Sequence, residues 1–591
     1  MSNLELSKDL DVKKLNARWL GRVSLSDSLV LQDQLVKSEK DYLLIQEHTD
    51  VYTLGSLSKA GDELLPDAYN YEIVNVDRGG KVTYHGPGQL VVYPVISLPE
   101  LSNGMSDGAK YAHKLEQVVI NLLAKLGVEA IRRAGFPGVW ANEQKICAIG
   151  SKVVGGRSKH GFAINVSTDL AMFNNIIACG IDQAEVTSIK ELLADTTTES
   201  SDEELLKKAI DLSVEEFSNE FGFEEIDFAS SAWRKPEWNL ENINQMDLLK
   251  PNADNVQLLG PAPSLDAAQV MNGSSTRIQL KGKLAQAGVA TDTNLHEKRP
   301  DWMKIKATNS KKFLGLKKLV KEEKLHTVCE EAGCPNINEC WSSGTATFMI
   351  LGSRCTRACS FCLIDTRKPL APDEDEPKRV GESVAKLDLK HAVITCVTRD
   401  DLEDGGARIF AETIRQINIQ SPKTRVEVLI SDCKGDEKSL QTIYDAKPDV
   451  LNHNIETVLR LQRAMRTSAN YARSFAVLAR ARKEGLITKT GLILGLGETD
   501  EEIYRTIDDC VAFGVQVLTI GQYLRPTTKH APVVKWYTPE EFNVFRDYGY
   551  KAGLVYVESG PLVRSSYHAS DAVDAALGEK SKFENLFKAQ V

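Results

Sequence analysis

Six of the eleven cysteines fall between Cys329 and Cys362, in two tight groups. Cys329, Cys334 and Cys340 stand in CEEAGCPNINEC, and Cys355, Cys359 and Cys362 in CTRACSFC. Each group offers three thiolates from a short, turn-rich stretch, so three sulfurs can converge on one face of a small inorganic cluster. Neither group holds a fourth cysteine. A site short of one protein ligand leaves a metal position open to a substrate, a cofactor or an unusual side chain, whereas a purely structural site is normally closed. The spacing therefore reads as two iron-sulfur clusters, both reactive. A second stretch with chemical potential is RGGKVTYHGPGQLVVYP (Arg78 to Pro94), which sets four glycines around Tyr84 and His85. Such a loop lets backbone approach a ligand closely and presents Arg78 and His85 near one place.

These loops need elements to hold them. At 591 residues the chain is long for one domain, and ordinary domain sizes give about three or four units, a count that large barrels break. Hydrophobic content of 42% and charged content of 26% are those of globular protein with sizeable cores. The net charge of -10 argues against a dominant nucleic-acid surface, which needs a concentrated basic face. No apolar run approaches the roughly 18 residues of a membrane span. The N-terminal MSNLELSKDLDVKKLNARWL lacks a signal-peptide core and carries Glu5, Asp9 and Asp11, which transit peptides avoid. The expected location is the cytoplasm, with no nucleic-acid or membrane partner. Bunched cysteines there serve as metal ligands or nucleophiles more often than as disulfides.

From Tyr42 to about Phe223, strand-like runs such as YLLIQE and LVVYPVISL accompany a helical stretch, YAHKLEQVVINLLAKLG, that ends at a glycine. This predicts a mixed α/β domain. From about Asp227 to Thr276, scattered Asn, Pro, Gly and Ser read as a linker. Beyond it, ATFMILG runs directly into the second cysteine group. HAVITCV, VEVLI, DVLNHN, TKTGLILG, VQVLTIGQY and LVYVES follow as strands separated by helical stretches, which predicts a partial (βα)6 barrel. The loop after a barrel strand is where such folds hold their chemistry.

In the first half, RGGKVTYHGPGQL, KICAIG, HGFAINV, and ACGI with the following VTSI resemble the octanoyltransferases that charge lipoyl domains, relatives of the biotin and lipoate protein ligases. The resemblance implies that Cys179 is the nucleophile, taking octanoyl from acyl carrier protein as a thioester, and that Lys145 is its partner. The residue types suit the task, since a free thiol near pKa ~8.5 is mostly protonated at neutral pH and a neighbouring ammonium favours the thiolate. Lys145 is expected to take the thiol proton and later, as a free amine, to deprotonate the incoming lysine. The resemblance also implies a substrate site formed by Arg78, Gly79, Gly80, Lys81, Val82, Thr83, Tyr84 and His85, with Ala148, Ile149, Gly150, Gly161, Phe162 and Ala163. Cys147 reads as core.

In the second half, C-x3-C-x2-C with Phe361 before the last cysteine is the signature of radical S-adenosylmethionine enzymes. It implies that Cys355, Cys359 and Cys362 hold three irons of a [4Fe-4S] cluster, the fourth iron being open to S-adenosylmethionine. Zinc is the weaker reading, because three close thiolates would need a distant fourth ligand. The C-x4-C-x5-C group, with HAVITCVTRDDLEDGGA, NHNIETVLRLQRAMR, TKTGLILGLGE and ESGPLVRSSYHA, resembles lipoyl synthase over essentially all of residues 290–575. That resemblance implies a second [4Fe-4S] cluster, consumed as the sulfur source and held by Cys329, Cys334, Cys340 and a serine of RSSY. The serine is Ser566, with Ser565 as the close alternative. A serine oxygen binds iron more weakly than thiolate, so its bond is a point of release. Asp404, Gly405 and Gly406 resemble the motif that meets the amino group of S-adenosylmethionine. Arg525 departs from the glutamine common in the family. Cys396, Cys433 and Cys510 read as packing residues.

The expected division is an octanoyltransferase domain over 1–225, a linker over 226–276 and a lipoyl synthase domain over 277–591. The two halves read as consecutive enzymes on one acyl group. The first transfers octanoyl from octanoyl-acyl carrier protein to a lysine of lipoyl domains, those of 2-oxoacid dehydrogenase E2 subunits and the glycine cleavage H protein. The second inserts sulfur at C6 and C8. The resemblance further implies an electron donor such as ferredoxin or flavodoxin and an iron-sulfur carrier that rebuilds the spent cluster. Two alternatives stand beside this: a first half that only recruits lipoyl domains, or a lipoate or biotin ligase fused to another sulfur-inserting enzyme.

Overall fold

Strands buried along their whole length must be covered on both faces, and the first half builds its sheet around two of them. The computed structural model describes residues 12–59, 63–99, 107–177, 186–194, 201–232, 274–289, 299–303, 326–327, 336–343 and 345–588. These fall into two units, Met1–Ser230 and Ser231–Val591. In the first, the strands are β1 (Lys14–Val23), β2 (Asp41–His48), β3 (Val51–Leu54), β4 (Glu72–Asn75), β5 (Thr83–His85), β6 (Gln89–Val95), β7 (Ile131–Arg133), β8 (Phe136–Ala141), β9 (Gln144–Val154), β10 (Arg157–Asn165) and β11 (Glu225–Ser230). Eight of them form one sheet in the order β11-β1-β2-β6-β10-β9-β8-β7, and β4-β3-β5 form a small second sheet. Every residue of β6 and β10 is buried.

Two helices cover the large sheet. Gly108–Lys125 is capped by Asp107, which accepts from Lys110 N, and Asp202–Phe221 opens on a capping box of Ser201 and Glu204 and stops at Gly222 in the left-handed region. Strand β11 lies in the stretch read as linker. It pairs parallel with β1 from Lys14↔Glu225 to Trp19↔Ser230, so the sheet extends past residue 225.

In the second unit the apolar runs become β12 (His326–Thr327), β13 (Thr345–Ile350), β14 (His391–Cys396), β15 (Arg425–Leu429), β16 (Val450–Asn452), β17 (Ile487–Leu494), β18 (Val517–Gln522) and β19 (Tyr556–Gly560), hydrogen-bonded in chain order. From β13 to β19 all neighbours are parallel, and β12 is antiparallel to β13. Each parallel strand is followed by a helix, the connection parallel pairing requires. The six repeats read from sequence, with the strand that leads into the second cysteine group, account for β13 to β19, and β12 is an addition the sequence reading did not make. The sheet ends at β12 on one side and β19 on the other, a partial barrel.

A polar layer crosses the barrel core. Glu427 receives Lys489 Nζ at 3.0 Å and Asn452 Nδ2 at 3.1 Å, and His391 Nε2 stands 3.5 Å away. Burial pulls the Glu427 carboxyl upward, but Lys489 and His391 outweigh it and hold it below the usual range. Among the described residues no helix is long and apolar enough to cross a membrane.

Candidate active sites in the two units

In the first unit the glycine-rich loop lies on the β9–β10 pair. Gly79 N donates to Ser151 O at 3.2 Å, and Gly150 pairs directly with Gly161. A Cβ on Gly150 would fall 3.0 Å from Arg78 Cδ and from Gly79 O. The missing side chain is what lets the Arg78 segment settle against the strand. Arg78 Nη2 donates to Thr53 O at 2.9 Å and Thr53 Oγ1 at 2.8 Å. The structure therefore brings Arg78–His85, Ala148–Gly150 and Gly161–Ala163 together, the last two groups directly paired. Glu63, which the sequence reading missed, accepts Val82 N at 3.2 Å, faces Lys81 at 3.8 Å, and its carbonyl takes Ile177 N at 2.9 Å.

Lys145 sits at the start of β9 and is buried, its Nζ 5.7 Å from the Trp140 ring. Gly138, at φ +122, clears its path: a Cβ there would be 2.7 Å from Lys145 Cε. Thr187 N donates to Lys145 O at 3.1 Å, which pins the chain just after 178–185. Cys179 lies outside the described residues. Cys147 is core, and burial pushes its thiol up.

Three histidines lie beneath the loop. Burial, then the neighbouring His48, lowers His85 to about 3; burial lowers His48 and His160 to about 4, the latter against its 2.7 Å contact with Asp77. Unfolded histidine titrates near ~6.5, so the unfolded chain binds more protons below that value, and stability falls as pH drops from there through the folded values. Urea unfolding from pH 7 to 4 is expected to show the first unit weakening by up to about 1.4 kcal/mol per pH unit per histidine. The fall should be shallower in a His48→Gln chain, and equal slopes would contradict the assignment.

In the second unit the cysteine loop leaves the C-terminal end of β13 and is stapled at both ends by one side chain. Buried Arg399 donates through Nη1 to Leu351 O at 3.1 Å and through Nη2 to Leu370 O at 2.9 Å. Inside the loop, Cys355 N donates to Asp365 O at 2.8 Å and Cys362 N to Cys359 O at 3.1 Å. Arg357 is clamped by Asp400 at 2.7 and 2.9 Å and by buried Asp432 at 2.7 Å. From the β18–β19 connection, His530 Nε2 meets Cys362 O at 2.8 Å and Ala531 N meets Ser360 O at 2.8 Å. Arg525 braces this flap, donating to His530 O at 3.1 Å and Thr528 O at 2.6 Å.

Burial pushes the Cys359 thiol up to about 11 and the Cys362 thiol up to about 12. Thiolate at neutral pH there requires a cation at sulfur. Among the described residues no group of three His, Cys, Asp or Glu side chains is arranged to hold a metal ion. A carboxylate and a guanidinium, Glu456 and Arg466, both act electrostatically on Cys359. Beside them Asn454 Nδ2 donates to Glu456 Oε1 at 3.2 Å, while Asn454 Oδ1 is buried without a hydrogen-bond partner. An acceptor pair and a cation beside three thiols fit the amino and carboxylate groups of an amino-acid cofactor. The sequence reading passed over these residues although NHNIETVLRLQRAMR contains them.

Asp404 accepts Gly406 N and Arg408 N, each at 2.9 Å, at the start of the helix Ala407–Gln420. Gly405, at φ +59, packs on Cys433, where a Cβ would stand 3.5 Å from Sγ. Cys433 and Cys510 are buried; Cys396 is only half-buried, because it ends β14 at the barrel mouth rather than lying within the core.

Of the first cysteine group, Cys329 and Cys334 lie outside the described residues. Cys340 sits on the helix Ile337–Ser343. The turn after β19 meets that helix: Asn336 Nδ2 donates to Leu562 O at 2.6 Å and Tyr567 OH to Glu339 Oε1 at 3.1 Å. This brings Ser565 and Ser566 to the neighbourhood of Cys340, whose charge acts on Tyr567.

Residues 24–210 match the lipoyl protein ligase A/B catalytic domain and residues 349–510 the radical SAM superfamily. The chain is thus a radical SAM enzyme joined to an acyl-handling domain of the ligase A/B type. A lipoyl synthase of Shouchella clausii is 53% identical over 284 residues, 48% of this chain and 92% of the relative, and one of Bacillus subtilis is 53% identical over 284 residues, 48% and 95%. The chain belongs to the lipoyl synthase family. A solved lipoate-protein ligase A bound with ATP aligns with 38% of this chain and 90% of its own, at 18% identity and a TM-score of 0.31. With the ligase-type domain in the same polypeptide, the chain is a bifunctional enzyme of lipoate biosynthesis, and S-adenosylmethionine and [4Fe-4S] chemistry follow from its family.

Proposed function

We propose that the first unit moves octanoyl from octanoyl-acyl carrier protein to a lysine of a lipoyl domain, and that the second inserts sulfur at C6 and C8 of that chain. The observation that carries the reading is the meeting of the Arg564–Tyr567 turn with the Cys340 helix. A barrel that only bound S-adenosylmethionine would have no need of it.

In the transfer, Cys179 attacks the donor thioester, and the Lys145 amine takes the thiol proton and returns it to the departing carrier thiolate. The lipoyl-domain lysine then attacks the new thioester, losing its proton to Lys145, which hands it back to Cys179 as the amide forms. Lys145→Met is expected to slow transfer by at least about 100-fold. Gly138→Ala, whose Cβ would meet Cys147 O at 2.5 Å as well as Lys145 Cε at 2.7 Å, is expected to displace Lys145 and slow transfer by about tenfold. Single-turnover transfer measured by mass checks both, and an unchanged rate in Lys145→Met would remove it from the reaction.

In the second unit, Cys355, Cys359 and Cys362 hold one cluster, and Cys329, Cys334 and Cys340 with Ser566 hold a second. When bound, the clusters and S-adenosylmethionine supply the removal of hydrogen and the sulfur that replaces it. Glu456 and Asn454 receive the amino group of S-adenosylmethionine and Arg466 its carboxylate, beside Gly405 and Gly406. Ferredoxin or flavodoxin is the class of reductant, and an iron-sulfur carrier restores the spent cluster. The test gives the anaerobically reconstituted chain octanoyl-acyl carrier protein, an apo lipoyl domain, S-adenosylmethionine and reductant. Absence of an octanoyl or lipoyl mass gain on the lipoyl domain would sink the reading.

A further inference from the structure

Between the glycine-rich loop and Lys145 runs an unbroken chain of amide hydrogen bonds. His85 Nδ1 meets Gln89 Oε1 at 2.7 Å, Gln89 Nε2 donates to Asn165 Oδ1 at 3.0 Å, and Asn165 Nδ2 donates to Thr187 O at 3.0 Å. Thr187 N in turn donates to Lys145 O at 3.1 Å. The members are buried: His85 is 5% exposed, Gln89 1%, Asn165 4% and Thr187 1%.

The polarity of this chain is forced by two backbone carbonyls. Thr187 O can only accept, so Asn165 must turn its NH2 toward it and its oxygen toward Gln89. Gln89 Nε2 also donates to Tyr84 O at 3.2 Å, which faces its oxygen to His85. His85 must then carry its proton on Nδ1, leaving Nε2 as an acceptor.

We propose that Gln89 and Asn165 are positioning residues for acyl transfer: they fix the tautomer of His85 and tie it, through Thr187, to the strand that carries Lys145. The inference rests on the reading that Cys179 and Lys145 perform the transfer. Gln89→Glu keeps the acceptor for His85 but places a carboxylate beside an imidazole that is otherwise held neutral, and so favours the imidazolium.

The test uses the full chain with octanoyl-acyl carrier protein and an apo lipoyl domain. Gln89→Leu and Asn165→Leu are expected to lower kcat per folded chain at least about tenfold, with KM for the donor little changed, while the buried groups they leave unpaired lower the unfolding temperature. Gln89→Glu is expected to move the acid limb of the pH profile upward. Unchanged kcat in both leucine variants overturns the proposal, and so does an unmoved acid limb in Gln89→Glu. Loss of kcat that tracks loss of folded protein, without the profile shift, overturns it as well. Acyl-enzyme formation by a Cys179→Ala chain is scored separately. A stable thioester there would refute the nucleophile assignment, whatever the relay variants do.

Discussion

A chain carrying Cys359→Ala is expected to form octanoyl-lipoyl domain at the normal rate and to cleave no S-adenosylmethionine. Its loop is already built by Arg399, Arg357 and the His530 flap, so removing one thiol leaves the scaffold standing. What is lost is one of three thiolate anchors, and the remaining pair has a weaker hold on iron. Iron should fall by about four per chain. The measurements are iron content, release of 5'-deoxyadenosine and mass of the lipoyl domain. Full iron content or persistent cleavage would remove Cys359 from the ligand set.

Cys340→Ala should give the opposite split in the second unit. Its Cys355 loop and the Glu456–Arg466 pair lie on other elements, so S-adenosylmethionine cleavage should persist while lipoyl product falls at least about 1,000-fold, the source of sulfur being gone. Ser566→Ala is expected to resemble it with part of the iron retained, because a serine oxygen is the weaker ligand. The second cluster is discarded if Cys340→Ala still yields lipoyl-lysine. If Ser565→Ala and not Ser566→Ala produces the defect, the ligand is the neighbouring serine.

The cysteine groups were legible because metal ligation demands close spacing, which a linear sequence displays. The barrel was legible because a parallel strand covered on both faces is mostly apolar, as HAVITC is apart from His391 and Thr395. What escaped notice was held by long-range partners. Gln89 reads as an ordinary polar residue until β6 and β10 pair and bring Asn165, 76 positions on, against it. Arg399 and Asp432 stand in motifs noticed for their resemblance, but that one holds both ends of the cysteine loop and the other grips Arg357 follows only from the stacking of β13, β14 and β15. Strand β11 was missed for a different reason: at the edge of its sheet it is half exposed, so its sequence carries little of the apolar signal that marked the interior strands.

The contact between Asn336 and Leu562 joins positions 226 residues apart. At translation rates of about 5–20 residues per second, roughly 10–45 s separate the emergence of the Cys340 helix from that of the turn that meets it. Throughout that interval the Cys340 helix exists without the turn that meets it, while the Cys355 loop gains Arg399 early and its His530 flap late. The seam between the Cys340 helix and the Arg564–Tyr567 turn can therefore close only after β19 has been made, long after Arg399 is available to join the two ends of the Cys355 loop.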